Sequence, residues 1–172
     1  MGEVDKGWIE LAGRPLVRHV LDRLTSQVDD IVISANRSLE RYRALGYAVV
    51  SDVYPGFAGP LAGLHAALPY VQHETVASVP CDCPGLPLDL VARLQEPLES
   101  RRLDVVVAKS GGRVHPVFCL CRRSVWRGLD AFLAGGGRKV ESWYAGLAHA
   151  EVSFDDQPEA FRNINAPEDL AG

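Results

Sequence analysis

The chain has 172 residues, 47% of them apolar and 23% charged, with a net charge of -4 and a mean hydropathy of -0.01. One hydrophobic core holds a chain of this length without disulfide or metal staples, which excludes two full domains. The acidic balance leaves no electrostatic footprint for a nucleic acid or a membrane surface, so a small-molecule partner is the default.

In chain order, the spacing of Leu16, Val17, Val20, Leu21, Leu24 and Val28 predicts a helix over residues 15–28, with Pro15 suited to its first turn. A buried strand follows over 31–33, ending in Ser34-Ala35-Asn36, then a short helix over 38–45 closed by Gly46. A second strand over 48–50 ends in Ser51-Asp52. After a loop over 53–59 come a helix from 60 to about 70 and a third strand over 76–79, which runs into Pro80-Cys81-Asp82-Cys83-Pro84. Strands alternating with helices at this spacing predict a parallel sheet with right-handed crossovers, an α/β layered domain.

The second half changes character. After a helix near 88–99, apolar segments over 104–108 and 114–121 flank Lys109-Ser110-Gly111-Gly112-Arg113, which reads as an antiparallel hairpin. Helices near 124–133 and 140–146, a strand over 150–154 and a closing stretch over 161–170 complete a mixed sheet, mostly parallel. The hairpin supplies the second wall of a cleft. With 16 glycines and 11 prolines, about 16% of the chain against a usual ~12%, the sequence is rich in shaped loops, where enzymes keep their sites.

The N-terminal Met1-Gly2-Glu3-Val4-Asp5-Lys6-Gly7 is charged at once, and the longest weakly polar run, over 58–71, falls short of the ~20 residues a membrane span needs. A cytoplasmic protein is expected. The cysteines form two C-x-C pairs, Cys81/Cys83 and Cys119/Cys121. On strands each pair shares a face, so a four-sulfur zinc site is conceivable, but the spacing is shorter than structural zinc sites use and the surroundings are apolar. Buried, reduced thiols are the expected reading.

In an open α/β sheet, ligands bind outside the carboxyl ends of the strands, so polar residues directly after apolar strands are the first candidates. Asp82 is one: a carboxylate there can hold Mg²⁺ against a triphosphate, or it can simply cap its turn. Asp52 carries the same two readings. Lys6, ahead of Trp8-Ile9-Glu10-Leu11, offers a point charge to a phosphate. His115-Pro116 follows the hairpin turn, where a lone histidine is more often structural. Asn163 and Asn165 flank Ile164, so both amides face one side, while Asn165 equally suits a helix cap before Pro167.

Taken together, Met1-Gly2 through Lys6-Gly7, Leu11-Ala12-Gly13-Arg14-Pro15-Leu16, Ser51-Asp52, Gly59-Pro60-Leu61-Ala62-Gly63, Cys81-Asp82-Cys83-Pro84, His115-Pro116 and Asn163 through Leu170 occur in an order that closely resembles the molybdenum cofactor guanylyltransferases over essentially the whole chain. The resemblance implies a Rossmann-like three-layer nucleotidyltransferase fold in one domain over 1–172. It also implies Mg²⁺-dependent transfer of GMP from GTP to molybdopterin, with release of pyrophosphate. Residue by residue, Lys6 and Asp82 become catalytic, Asp82 the metal ligand, and Gly2, Lys6, Asp52, Gly63 and Asp82 nucleotide-binding. His115, Asn163 and Asn165 fall on the side of the pterin acceptor. Molybdoenzymes or their chaperones would receive the product.

Two departures from the family pattern stand out. The family begins with an apolar strand and an L-A-G-G-x-x-x-R loop that cradles the phosphates, and this sequence starts at the Met1-Gly2 that follows the arginine. The expectation is a natural protein longer at its front by about one strand and one loop. The other readings are a loop supplied otherwise or a truncated form. Ser34 stands where the family often has an asparagine near the nucleotide. The alternatives carried from the sequence are a nucleotidyltransferase using CTP or a sugar phosphate, and a non-catalytic nucleotide- or pterin-binding homologue.

Overall fold

The computed structural model describes residues 5–54 and 59–164. A single 3-10 turn, Lys6–Trp8, leads into a hairpin of β1 (Glu10–Leu11) and β2 (Arg14–Pro15), with Ala12 and Gly13 at positive φ in the turn. Helix α1 (Leu16–Leu24) follows directly and buries Leu16, Val17, Val20, Leu21 and Leu24. It ends four residues before the predicted boundary. The reason is local: Thr25 Oγ1, Ser26 Oγ and Gln27 Nε2 donate back to the carbonyls of Asp22 and Arg23, so side chains satisfy the last turn and the helix stops.

Next come β3 (Val32–Ser34), α2 (Leu39–Arg43) and β4 (Ala48–Val50), with β3 and β4 parallel. Helix α3 (Pro60–Ala67) starts on a proline and gives way to a 3-10 turn, Leu68–Tyr70, where Pro69 has no N–H to continue the ladder. Then follow β5 (Thr75–Ser78), α4 (Leu90–Ser100), β6 (Val105–Ser110), β7 (Arg113–Arg122), α5 (Trp126–Ala134), α6 (Val140–Tyr144) and β8 (His149–Ser153). The loop over 109–113 is tighter than the sequence predicts: β6 and β7 extend into it, leaving Gly111 and Gly112 at φ 55° and 76° as a two-residue turn. Positive φ at both positions matches the twist of the flanking strands and suits glycine.

The main sheet has the order β5-β7-β6-β8, with β7 antiparallel to both neighbours and β8 parallel to β6. Three of its four strands therefore run the same way, the mixed, mostly parallel sheet of the expected α/β fold. Its central strand is buried on both faces. Val105 and Val107 point to one side, with Leu61 and Leu64 of α3, Leu68 of the turn that follows it, Leu129 and Leu133 of α5, and Trp143 of α6. Val106 and Ala108 point to the other, with Leu90, Leu94 and Leu98 of α4, Phe154, Phe161 and two α1 residues, Val20 and Leu24. The period of two decides which core each valine joins, and the result is three layers.

The β3–β4 pair is a separate sheet, and among the described residues no strand joins β3 to β5. Helix α1 spans the two sheets instead. Its Val17 and Leu21 pack on Tyr42, Ile31, Ile33 and Val49, one turn apart from the Val20 and Leu24 that serve the main core.

The cysteines need one correction. Cys83, Cys119 and Cys121 are buried free thiols, but Cys81 is exposed. Cys119 and Cys121 share a face because they lie on β7, whereas Cys81 and Cys83 lie in a turn, where residues two apart have no reason to point alike. The pairs are also parted by the sheet: Cys83 belongs to the α4 side, and Cys119 and Cys121 to the α3 side. Burial pushes the Cys119 thiol up to about 12, so it stays protonated.

Candidate active site

Asp82 sits four residues beyond the carboxyl end of β5, in the turn bounded by Pro80 and Pro84. Its carboxylate is nearly buried and lies 3.5 Å from Lys6 Nζ; the lysine side chain is 50% exposed and the aspartate side chain 12%. An ion pair this wet on one side adds at most about 1 kcal/mol to stability. Its value is therefore in placement: a cation and a carboxylate meet at the mouth of the sheet.

Several contacts hold Lys6 in place. Asp5 Oδ1 accepts a 2.7 Å hydrogen bond from the Tyr42 hydroxyl, and Trp8 stacks at a tilt on Tyr42 with the Arg41 guanidinium 4.0 Å from its ring centre. Burial, and then the bond to Asp5, push the Tyr42 hydroxyl well above its ordinary range, so it remains a donor. Gly7 is buried between these groups. A Cβ there would lie 2.4 Å from Tyr42 Oη and 3.4 Å from Cys81 Sγ, so a side chain at position 7 would push the Lys6 segment off the Asp82 turn. Asp5, Gly7 and Tyr42 are site residues that the sequence reading missed. No local signal marks Tyr42, because it arrives from another helix.

The Asp82 turn is fixed to the C-terminal segment. Ile164 N donates to Asp82 O at 2.9 Å, and Ile164 is buried. The Cys83 thiol donates to Asn163 Oδ1 at 2.9 Å. Burial first, and then the neighbouring Asp82 carboxylate, push that thiol well above its ordinary range, so it stays a donor. With its oxygen engaged inward, the exposed Asn163 amide keeps its NH2 for a partner. Asn165 and Gly2 lie outside the described residues.

His115 joins the same end of the molecule. Its ring stacks on Phe161, centroids 4.5 Å apart and 19° between planes, and Nε2 is 2.9 Å from Ser110 Oγ. Phe161 is two residues from Asn163, so the stack links the hairpin wall to the segment that ties Asp82. The β6–β7 pairing is irregular here: Val107 faces Cys119 while the next residue, Ala108, faces His115. Pro116 falls inside that bulge, where its missing N–H costs no ladder bond. Burial, with Arg113 adding to it, holds the His115 ring below its ordinary pKa, so near neutral pH it is an uncharged donor or acceptor.

Asp52 belongs to a second cluster at the carboxyl ends of β3 and β4. Asn36 Nδ2 donates to Asp52 Oδ2 at 2.8 Å, and Asp52 N donates to Asn36 Oδ1 at 2.9 Å, a reciprocal pair between the two strand ends. Asn36 is another residue the sequence reading passed over, though it carried the same mark as Asp52, a polar group just past an apolar strand. Gly63, on α3, packs against this cluster: a Cβ there would sit 2.9 Å from Ser34 Oγ and 3.9 Å from Asp52 Oδ1. The structure thus brings Lys6, Asp82, Asn163 and His115 into one group and Asp52 with Gly63 into another, both at carboxyl strand ends.

Among the described residues no three His, Cys, Asp or Glu side chains gather as a metal cage. The donor set nevertheless suits Mg²⁺, which takes one or two protein carboxylates and fills its other positions with water and phosphate oxygens. No helix of the described residues is long and apolar enough to cross a membrane.

Comparison with known proteins adds three findings. The family model described as "MobA-like NTP transferase domain" matches residues 1–152. The molybdenum cofactor guanylyltransferases of Shewanella putrefaciens and of Shewanella sp. strain ANA-3 are 44% and 45% identical over 169 and 168 residues, 98% of this chain in both cases and 87% and 85% of theirs. Molybdopterin-guanine dinucleotide biosynthesis protein A from Archaeoglobus fulgidus superposes with a TM-score of 0.79 over 98% of this chain and 88% of that one, at 22% identity, a likeness of fold.

Proposed function

From the premise that this chain belongs to the molybdenum cofactor guanylyltransferases, within the MobA-like NTP transferases, we propose that Lys6 and Asp82 carry its chemistry and that Asp52 and Gly63 hold the nucleotide. The enzyme is a nucleotidyltransferase that moves GMP from GTP onto molybdopterin and releases pyrophosphate. The observation that carries the assignment of residues is the 3.5 Å approach of Lys6 Nζ to the nearly buried Asp82 carboxylate at the end of β5.

Transfer of a nucleotidyl group asks for alignment of the acceptor phosphate with the α-phosphate and for neutralised charge, with little covalent chemistry from the protein. Asp82 would hold Mg²⁺, which supplies charge neutralisation on the triphosphate oxygens. Lys6 contributes a fixed positive charge beside them, and its pairing with Asp82 orients it before substrate arrives. The Asn36–Asp52 pair presents a carboxylate, already oriented, to the nucleotide, and the missing side chain of Gly63 leaves room beside it. On the opposite wall, the Asn163 NH2 and the neutral His115 ring face the pterin acceptor. The whole works as a single domain in the cytoplasm.

The test is direct. With GTP, Mg²⁺ and molybdopterin the protein should release pyrophosphate in step with dinucleotide formed, and Asp82→Asn should stop it. A preference for CTP overturns the choice of nucleotide, and full activity in the Asp82→Asn variant overturns the assignment of the metal ligand.

A further inference from the structure

A groove of about 630 Å³ opens at the other end of the main sheet, where β5 begins and β7 ends. Thr75 at the start of β5 pairs with Arg122 at the end of β7, so the groove and the Asp82 turn lie beyond opposite ends of the same short strand. Three guanidinium groups line it, those of Arg122, Arg123 and Arg127, with the Glu74 carboxylate and with His73, whose Nε2 lies 2.7 Å from Asp30 Oδ2. Arg122 is fixed by bonds from Nε to Leu103 O at 2.9 Å and from Nη2 to Leu98 O at 3.2 Å. Arg123 and Arg127 are exposed, and among the described residues neither guanidinium has a hydrogen-bond or ion-pair partner. The Trp126 ring, 41% exposed, forms part of the wall.

Charge and shape together specify a ligand. Arg123 and Arg127, whose guanidiniums have no partner among the described residues, carry two positive charges, and a phosphate monoester carries close to two negative charges at neutral pH. Guanidinium forks match phosphate oxygens in pairs, and an indole offers a face for a flat ring. The volume is that of a site for a small organic molecule. We propose that this groove is a second binding site, for a small phosphate monoester carrying a planar ring, separate from the GTP site. Arg123 and Arg127 hold the phosphate and Trp126 stacks on the ring. The site does not rest on the guanylyl-transfer reading, so the failure of either leaves the other standing.

Flavin mononucleotide is a suitable probe, followed by quenching of tryptophan and flavin fluorescence. Saturable binding is expected below about 1 mM, with competition by inorganic phosphate and none by saturating GTP. Riboflavin, which keeps the ring and lacks the phosphate, should bind at least about tenfold more weakly. The Arg123→Ala/Arg127→Ala variant and, separately, Arg127→Glu should each weaken the mononucleotide by about tenfold or more, while Asp82→Asn leaves it unchanged. Equal binding of riboflavin and the mononucleotide, undiminished binding in both arginine variants, displacement by GTP, loss in Asp82→Asn, or no saturable binding would each overturn the proposal.

Discussion

The two carboxylates of the site are held in different ways. Asp82 is 9% exposed, its turn stiffened by two prolines, bonded through its backbone to Ile164 and flanked by a thiol that ties down Asn163. It rests on the main sheet, whose central residues Val105 to Ala108 are fully buried. Asp52 rests on a two-stranded sheet in which only Val50 is buried, and is oriented chiefly by one side chain, Asn36. A metal-binding carboxylate tolerates little displacement, because Mg²⁺ demands near-octahedral geometry, and the carboxylate proposed for that role sits on the more buried part of the fold. The carboxylate proposed for the nucleotide sits on the less buried part, where few apolar contacts resist adjustment.

If that contrast is right, Asp82→Asn should cost about 10³-fold in pyrophosphate release while shifting stability by no more than about 1 kcal/mol, as a thermal melt would read. A large loss of stability would mean that the carboxylate is structural. Truncation of the two supports should differ as well: Leu94→Ala, in the core under the main sheet, should destabilise by about 2–5 kcal/mol in urea unfolding, and Val49→Ala on β4 by less than about 1 kcal/mol. Equal costs would erase the distinction between the sheets. Lys6→Ala should lower kcat/KM for GTP by about 10²-fold with little effect on molybdopterin binding.

Gly63→Ala should raise KM for GTP by about tenfold by pushing Ser34 toward Asp52, and Ser34→Gly in the same chain should relieve it. Failure of that rescue would place the tolerance of the Asp52 cluster elsewhere. The smallest effect concerns His115. Its folded pKa lies below the unfolded value of about 6.5, so the stability it contributes is fully present above that value and is lost as pH falls toward the folded pKa. Between those limits the stability difference between the wild type and His115→Asn should shrink on acidification; an unchanged difference would show that the ring takes up its proton as readily in the fold as in the unfolded chain.

The elements of the main sheet were legible because their burial writes itself into the sequence. Val105-Val106-Val107-Ala108 needs apolar residues on both faces, and Gly111-Gly112 can hardly be anything but a turn. Cys81 misled because a rule for strands was applied to a turn. Asp82, Asp52 and Lys6 stood out in the sequence as polar groups beside apolar segments, but the contacts each of them makes did not. Tyr42 and Asn36 look like ordinary residues until α2 and β3 are folded against the segments that carry Asp5 and Asp52.

The sequence by itself determined the layered α/β class, the polar groups at strand ends and the family, because period, turn chemistry and motif order are local properties of a chain. Only the tertiary structure decided that Lys6 meets Asp82 across 76 positions, that a buried thiol ties Asn163 to the Asp82 turn, and that three arginines share a groove with Trp126. Those contacts join residues brought together by packing. A side chain's distance to a partner from another element depends on every helix and strand that separates them, which no local pattern records.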